Sequence, residues 1–153
     1  MKTESQYLKT LNFVKLSEKA IIPQRATNGS AGLDLCACMD EGVLLNPGDR
    51  KLIHTGIAIE LPSSEYVALL FARSGLAVKK GITLMNSVGV IDSDYRGEIC
   101  AALCNLGDEP YEITPGERVA QLVITKIETP NPVEAKTLGE TERGSGGFGS
   151  TGK

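Results

Sequence analysis

Residues 89–99, with the sequence GVIDSDYRGEI, contain the side chains of this chain that are best suited to chemistry. Three carboxylates lie close together there beside an aromatic ring and a guanidinium: Asp92, Asp94, Glu98, Tyr95 and Arg96. The two glycines that bracket them indicate turns or close backbone approaches. Apolar residues precede the group and a mostly apolar run follows it. This pattern predicts a hairpin whose turn presents Asp92 and Tyr95 together, or alternatively an acidic, solvated hairpin tip.

The general base of any such site is predicted to be a carboxylate. The chain has one histidine, His54, among apolar residues of a predicted strand, where a structural histidine with satisfied hydrogen bonds is the favoured interpretation. A Ser-His-Asp or Cys-His nucleophilic system would depend on that residue, and no matching motif surrounds it. A carboxylate near its reference pKa of about 4 is ionised at neutral pH and can accept a proton unaided.

A second group suited to ligand binding lies at residues 72–75, where an apolar strand is predicted to run into a short helix. Ser74 is predicted to cap residues 75–80, and Gly81 to close the helix. Arg73 would then lie beside free helical amides, and both favour a bound phosphate. A capped one-turn helix with a surface arginine is the alternative.

Gln121 shares a predicted strand face with Val119 and Val123, so it is predicted to be partly buried and must find polar partners. An internal hydrogen bond to a loop would satisfy it. Orientation of a water molecule or a phosphate is the functional alternative.

Residues 143–153 are rich in glycine around a single aromatic residue, Phe148. Residues 144–149 match a dinucleotide-binding GxGxxG motif and residues 147–153 match most of a P-loop, but both matches are false because the required strand or helix is missing. The composition is typical of a flexible tail. The alternative is a mobile flap whose amides wrap phosphates while Phe148 stacks on a planar ring.

Composition limits the class of protein. A chain of 153 residues predicts one domain with a sizeable core, and a net charge of −3 provides no global basic field for nucleic acid. No apolar run approaches the length of a membrane span, and the first residues lack the apolar core of a signal peptide. A cytoplasmic protein with reduced, buried strand cysteines is therefore expected. A four-thiolate metal site is the alternative for the cysteines, which are Cys36, Cys38, Cys100 and Cys104.

Short strands separated by turn signals dominate the hydrophobic periodicity. Residues 66–72 form a continuous apolar run, which is typical of a strand buried on both faces. This spacing predicts an all-β protein, a β-sandwich or jelly roll, with one short helix and no domain boundary. The predicted strands are residues 11–16, 33–37, 43–45, 52–59, 66–72, 82–85, 98–104, 111–113 and 118–124.

Together, five segments resemble, in order and spacing, the five motifs of the trimeric deoxyuridine triphosphatases (dUTPases). The third has Val88 and Val90 where relatives often carry proline and threonine, a difference that affects no chemistry. The matching segments are residues 31–35, 73–77, 86–98, 116–121 and 143–152.

The resemblance implies a distorted jelly-roll domain over residues 1–142 and a mobile glycine-rich arm of the same domain over residues 143–153. It implies a homotrimer whose active sites are shared between subunits. The net charge and the lack of a membrane-length apolar run predict no nucleic-acid or membrane partner. The implied reaction is the Mg²⁺-assisted hydrolysis of dUTP to dUMP and pyrophosphate, by attack of water on the α-phosphate. Such an activity keeps uracil out of DNA and supplies dUMP for thymidylate synthesis.

By position, the resemblance makes Asp92, Gln121 and Asp34 the catalytic set. Asp92 would activate the attacking water, and Asp34 would act through water near an Mg²⁺ ion held mainly by the triphosphate. Tyr95 would lie under the deoxyribose and exclude a 2′-hydroxyl. The implied substrate-binding residues are Arg73, Ser74, Gly75, Asn86, Gly89, Ile91, Tyr95, Arg143, Phe148, Gly149, Ser150 and Thr151.

Two other functions fit the same scaffold. A dCTP deaminase shares the fold but uses a glutamate base in a different motif. A regulatory protein that binds dUTP to control a partner would need the binding residues, and an intact catalytic set argues against binding alone.

Overall fold

The structure is a computed structural model that describes residues 10–147 of the chain. In that range the chain forms strands and a single short helix, which confirms the predicted all-β class. The elements are β1 Asn12–Lys15, β2 Leu33–Cys36, β3 Val43–Leu45, β4 Arg50–His54, β5 Ile57–Glu60, β6 Tyr66–Ala72, α1 Ser74–Lys80, β7 Ile82–Leu84, β8 Gly89–Ile91, β9 Cys100–Asn105, β10 Tyr111–Ile113 and β11 Arg118–Lys126.

The strands pair antiparallel in four small sheets that share one hydrophobic core. The largest sheet has the order β2-β11-β6-β8, another has the order β4-β9-β7, and β1-β5 and β10-β3 form two-stranded sheets. Leu35, Leu70 and Leu122 of the first sheet belong to the same buried cluster as Ile53 and Leu103 of the second. The apolar faces of the two larger sheets therefore build a common core, as expected of a jelly roll.

Strand β6 is the element that positions the candidate site. It is the predicted apolar run of residues 66–72, and it pairs with β11 along one edge and with β8 along the other. The strand leads directly into α1, so the arginine between them lies at the junction of the sheet and the helix.

Helix α1 differs from its prediction at the N-terminus and agrees with it at the C-terminus. Ser74 is the first helical residue rather than the cap; Arg73 occupies the N-cap position with extended backbone angles and makes no side-chain capping bond. Gly81 closes the helix with φ of 69°, and its amide donates to the Ala77 carbonyl at 3.1 Å. The left-handed backbone conformation at this position favours glycine, because glycine has no Cβ atom.

The single strand predicted over residues 52–59 is interrupted and forms two strands. Gly56 has φ of 66°, and a Cβ atom there would lie 2.7 Å from the Cβ atom of Ala20. The Thr55 hydroxyl donates to the Ile99 carbonyl at 2.5 Å. The chain therefore leaves one sheet and enters another at this point: β4 pairs with β9, and β5 pairs with β1.

The hairpin predicted around residues 89–99 is wrong. Strand β8 pairs with β6, with Ile91 opposite Ala68, whereas β9 pairs with β4 and β7. Residues 92–98 therefore cross from one sheet to another rather than turning back on the same ladder. The apolar pattern specified two strands correctly, but it carries no information about which strand each one pairs with.

The four cysteines are all free thiols, as predicted, and they do not gather into one metal site. Burial is predicted correctly only for Cys104, because the other three are half-buried and Cys38 lies after the end of β2. Within residues 10–147, no helix has both the length and the apolar character needed to cross a bilayer.

Candidate active site

A cavity of about 380 Å³ opens where β8 leads into residues 92–98. It brings together five residues predicted for the site, and their side chains or backbone atoms line it with parts of β6 and β9. The predicted residues are Asn86, Gly89, Ile91, Asp92 and Tyr95.

The crossing segment holds Tyr95 in a defined position. The Tyr95 amide donates to the Asp92 carbonyl at 3.2 Å, and its hydroxyl donates to the Glu98 carbonyl at 2.9 Å. A Cβ atom at Gly97 would lie 2.4 Å from the Tyr95 hydroxyl oxygen, so only glycine leaves room for the ring as it stands. The tyrosine is 44% exposed, which leaves one part of it available to a ligand.

Backbone groups form another part of the cavity wall. Strand β8 is at the edge of its sheet, so part of its N–H and C=O groups has no sheet partner among the described strands. Gly89 is buried opposite Leu70, and a Cβ atom there would lie 3.0 Å from the Leu70 Cβ atom. The unpaired main-chain groups of an edge strand can recognise a planar ring by forming hydrogen bonds to it.

Asn86 lies on a tight turn before β8. The Ser87 amide donates to the Leu84 carbonyl at 3.1 Å, and the Val88 amide donates to the Asn86 carbonyl at 2.6 Å. Ser87 has φ of 61°, the only positive value for a residue other than glycine in the described part of the chain. Backbone strain of this kind is found at ligand sites, where it fixes the direction of a side chain.

A second cluster of predicted residues lies at the end of β6. Asp34 accepts from Arg73 Nε at 3.1 Å and from Arg118 Nη1 at 3.0 Å. Arg73 also donates to the Arg118 carbonyl at 3.2 Å. Gln121 is half-buried and donates to the Ala72 carbonyl at 3.0 Å, so its amide group is fixed beside the arginine.

This second cluster suits an anion. Two guanidinium groups face one carboxylate, which leaves an excess positive charge, and the first amides of α1 have no carbonyl partner within the helix. Ser74 and Gly75 are exposed at that end. Arg118 was given no role from the sequence, although it lies inside the fourth motif three residues before Gln121. Its position beside Asp34 became evident only in the fold.

Among the described residues, the second cluster does not contribute to the cavity of Asp92 and Tyr95. Asp34, Arg73, Ser74 and Gln121 are not among the residues that line the cavity of Asp92 and Tyr95. Arg143 lies in an exposed turn, where its Nε donates to the Gly146 carbonyl at 2.7 Å. Four other predicted residues lie outside the described residues: Phe148, Gly149, Ser150 and Thr151.

His54 has a hydrogen-bond partner, in agreement with the structural interpretation, although it is not enclosed by its neighbours. Its side chain is 59% exposed, and its Nδ1 lies 2.8 Å from Glu98 Oε2 at the rim of the cavity. Burial alone would raise the pKa of Glu98, but hydrogen bonds from His54 and from the Gly56 amide outweigh it and lower that pKa.

Fold and site together define a jelly-roll enzyme with a carboxylate beside a cavity and a cationic cluster for an anionic ligand. A family model described as dUTPase matches residues 18–152. The chain therefore belongs to the dUTPase family. This match favours the triphosphatase interpretation over the dCTP deaminase one.

Relatives of known name agree. A deoxyuridine 5'-triphosphate nucleotidohydrolase from a Hydrogenobaculum species is 54% identical over 138 residues, which cover 90% of this chain and 94% of the relative. The enzyme of the same name from Desulfitobacterium hafniense is 49% identical over 140 residues, which cover 92% of this chain and 93% of that one.

Solved structures agree as well. A point mutant of the Staphylococcus bacteriophage 80alpha dUTPase, in complex with dUpNHpp, has a TM-score of 0.85 and 30% identity, covering 95% of this chain and all of its own. A mutant dUTPase from phage phi11 of S. aureus, described with a structural Mg(II) ion, has a TM-score of 0.76 and 28% identity, covering 86% of this chain and 99% of its own.

Proposed function

We propose that this protein hydrolyses dUTP to dUMP and pyrophosphate by attack of water on the α-phosphate. One observation carries the proposal: in a chain of the dUTPase family, Asp92, Tyr95 and Asn86 surround the same cavity. Enzymes of this name at about half identity, with almost the whole chain aligned, support the same substrate.

The cavity binds the deoxyuridine in this proposal. Asn86 and main-chain groups on the unpaired edge of β8, at Gly89 and Ile91, form hydrogen bonds to uracil. Cytosine presents a donor where uracil presents an acceptor, so the wrong base leaves polar groups of the site unpaired, which costs more than lost apolar contact. Tyr95 lies under the deoxyribose, where its fixed ring leaves no space for a 2′-hydroxyl.

Asp92 is the proposed general base. It is exposed at the cavity and accepts no side-chain hydrogen bond that would compete for its proton-accepting oxygens in the described part of the chain. A carboxylate placed beside a water molecule can take a proton from it as the water attacks.

Arg73, Ser74, Gly75 and Gln121 are the proposed phosphate contacts, with Arg143 and residues 148–151 added by the arm. Mg²⁺ bound mainly by the triphosphate would neutralise charge on the phosphates. Asp34 is suited to contact that ion through a water molecule rather than directly, because each of its two carboxylate oxygens already accepts a hydrogen bond from an arginine. A contact through water leaves those ion pairs intact.

We further propose a homotrimer with shared active sites. Arg73, Ser74 and Gln121 do not line the nucleoside cavity, which supports this arrangement, since a neighbouring subunit can bring a second copy of these groups to it. Residues 1–142 would form the domain, and residues 143–153 an arm that closes over the nucleotide. Residues 127–147 support such an arm, because they form no strand or helix and are mostly exposed. The four free thiols support a cytoplasmic location.

The test is pyrophosphate release from dUTP, dTTP, dCTP and UTP, measured side by side with magnesium present. We expect dUTP to be hydrolysed far faster than the other three. Ammonia release from dCTP would identify a deaminase instead. Absence of dUTP hydrolysis, or equal turnover of UTP, would contradict the proposed reaction. The regulatory alternative stays a prediction that a pull-down with and without dUTP can address.

A further inference from the structure

Three potential metal ligands of different types meet at the rim of the nucleoside cavity. The donor atoms of His54, Glu98 and Cys100 all lie within 4.8 Å of one another. His54 Nδ1 is 2.8 Å from Glu98 Oε2 and 3.6 Å from Cys100 Sγ. The histidine is exposed, and the other two residues are partly buried, so the group is open to solvent on one side.

Sheet pairing places these side chains together. His54 ends β4 and Cys100 begins β9, and the two residues are direct partners in the antiparallel ladder. Directly opposite residues project to the same face of a sheet. Glu98 lies two residues before β9, and its contacts hold it beside this pair. The Gly56 amide donates to Glu98 Oε1 at 2.7 Å, which leaves Oε2 directed at the histidine.

The arrangement does not fit nucleophilic catalysis. In a Cys-His-carboxylate system, the thiol and the carboxylate engage different nitrogens of the imidazole. Here both approach Nδ1. Burial, followed by the nearby Glu98 carboxylate, raises the pKa of the Cys100 thiol to about 11, the reverse of what an activated thiolate requires.

A surface ion pair does not account for the group either. His54 and Glu98 are 59% and 26% exposed, and pairs of such exposure stabilise a fold little. An ion pair also gives no reason for a thiol to converge on the same nitrogen.

We propose that His54, Glu98 and Cys100 form a zinc-binding site at the rim of the nucleoside cavity. Imidazole nitrogen, thiolate sulfur and carboxylate oxygen are the three ligand types that Zn²⁺ prefers. Mg²⁺ selects oxygen ligands, so the magnesium of the proposed reaction does not compete for this donor set. Three protein ligands leave the fourth tetrahedral position to water.

Zinc here would join β4, β9 and the segment that carries Asp92 and Tyr95. The Glu98 carbonyl accepts the Tyr95 hydroxyl, and Glu98 and Cys100 both line the cavity. A bound ion therefore fixes the end of that segment to the sheet. A ligand that binds only the folded state raises the melting temperature.

The experiment uses the metal-free full-length chain, without a histidine tag and without nucleotide. Zn²⁺ is titrated in competition with a chromophoric chelator, and Co²⁺ serves as a spectroscopic probe of the same site. We expect one Zn²⁺ per chain, a rise in melting temperature on zinc addition, and a thiolate-to-cobalt charge-transfer band in the near ultraviolet.

Cys100→Ser and His54→Gln are the diagnostic variants. Loss of even an outer partner of a metal ligand weakens binding by about 10–100-fold, so loss of a direct ligand is expected to weaken Zn²⁺ binding by more than about 100-fold. Cys100→Ser should also abolish the charge-transfer band. Circular dichroism checks that each variant remains folded.

Cys104→Ser is the matched control, because Cys104 lies on the same strand four residues further on, opposite Arg50 and outside the cluster. Cys36→Ser, at a half-buried thiol on β2, is a second control if the first fails to fold. Equal weakening by a control and by Cys100→Ser would overturn the site, as would stoichiometric zinc binding that survives both diagnostic variants, or no zinc binding at all. Since no nucleotide is present, none of these results depends on dUTP hydrolysis.

Discussion

Asp92 and Asp94 are exposed aspartates two positions apart, yet only Asp92 lines the nucleoside cavity. Their side chains are the same, and their local sequence gives no clear reason to prefer one of them as a base. The two residues differ in position. A hydrogen bond from the Tyr95 amide to the Asp92 carbonyl closes a turn, and this turn lies against the cavity wall. This pair therefore allows a test of the base with a neighbouring carboxylate as its control.

We expect Asp92→Asn to fold normally and to lower kcat by roughly 10²–10⁴-fold, the usual contribution of a general base. Folding should be unaffected because the residue is exposed. The measurement is steady-state dUTP hydrolysis alongside a thermal melt. Asp94→Asn should keep a kcat near that of the unmodified protein, and equal losses in both variants would assign the effect to the charge of the loop rather than to the base.

Asp34 shows how one residue acquires a role from its surroundings. From the sequence it was a carboxylate in a short motif, acting through water near a metal ion. In the fold it is the shared acceptor of Arg73 and Arg118. We infer that it orients the two guanidinium groups, whose charge then serves the phosphates.

At the scale of elements, residues 92–98 act as a rigid connection between two sheets rather than as a hairpin tip. The Tyr95 hydroxyl is bound to the main chain, and the ring packs over Gly97. The segment begins at β8 and ends at β9, both of which are held by other strands. Its geometry is therefore set from both ends.

Gly97→Ala should displace Tyr95 without unfolding the protein. The added methyl group would lie 2.4 Å from the Tyr95 hydroxyl oxygen, and the exposed ring can move away from it. We expect kcat/KM for dUTP to fall on the order of 10²-fold, the cost of a misplacement of about 1 Å. The ratio of dUTP to UTP turnover should fall with it, since the barrier to a 2′-hydroxyl is lost.

Gly29→Ala is the matched control, because a methyl group there meets nothing within 4 Å. It should change neither kcat/KM nor the dUTP preference. If Gly97→Ala retained both values, the fixed position of Tyr95 would have no part in substrate selection.

At the scale of the whole molecule, the hydrophobic core ends long before the chain does. The buried cluster reaches Leu122, with Ile124 packed against it, and residues 127–145 are exposed. Val133 and Leu138 are 85% and 89% exposed, so this stretch stabilises the domain little within one chain.

Deletion of residues 143–153 should leave the melting temperature nearly unchanged while lowering kcat/KM by at least about 10²-fold, through loss of positioning. The thermal melt and dUTP hydrolysis are measured on the same preparation, with removal of Lys153 alone as the control. A large drop in melting temperature would mean that this segment supports the fold rather than the reaction.

Subunit mixing extends this test to the shared site. Asp92→Asn protein and the truncated protein are each expected to be nearly inactive, but in the proposed homotrimer, reassembly from both would create some sites with an intact aspartate and an intact arm. Recovery of dUTP hydrolysis on mixing would support shared sites. No recovery in demonstrably mixed trimers would place each site within a single subunit.

Much of this structure could be predicted from the residue types in short segments of the sequence. The apolar run of residues 66–72 predicted β6, Gly81 predicted the end of α1, and the composition of residues 89–99 indicated where the cavity would lie. Neighbouring residues are enough to predict which segments are buried, where the chain turns and where ionisable groups lie. These features depend on side-chain properties and on local backbone conformation.

Only the tertiary structure decided which strands meet and which side chains thereby become partners. The sequence pattern suggested that β8 and β9 form a hairpin, whereas each pairs with a strand far along the chain. Asp34 and Arg118 are 84 residues apart, and His54 faces Cys100 only because β4 and β9 pair in one register. Such contacts follow from the packing of the whole core, since a strand's own residues specify the face it buries but not the neighbour that completes its hydrogen bonds.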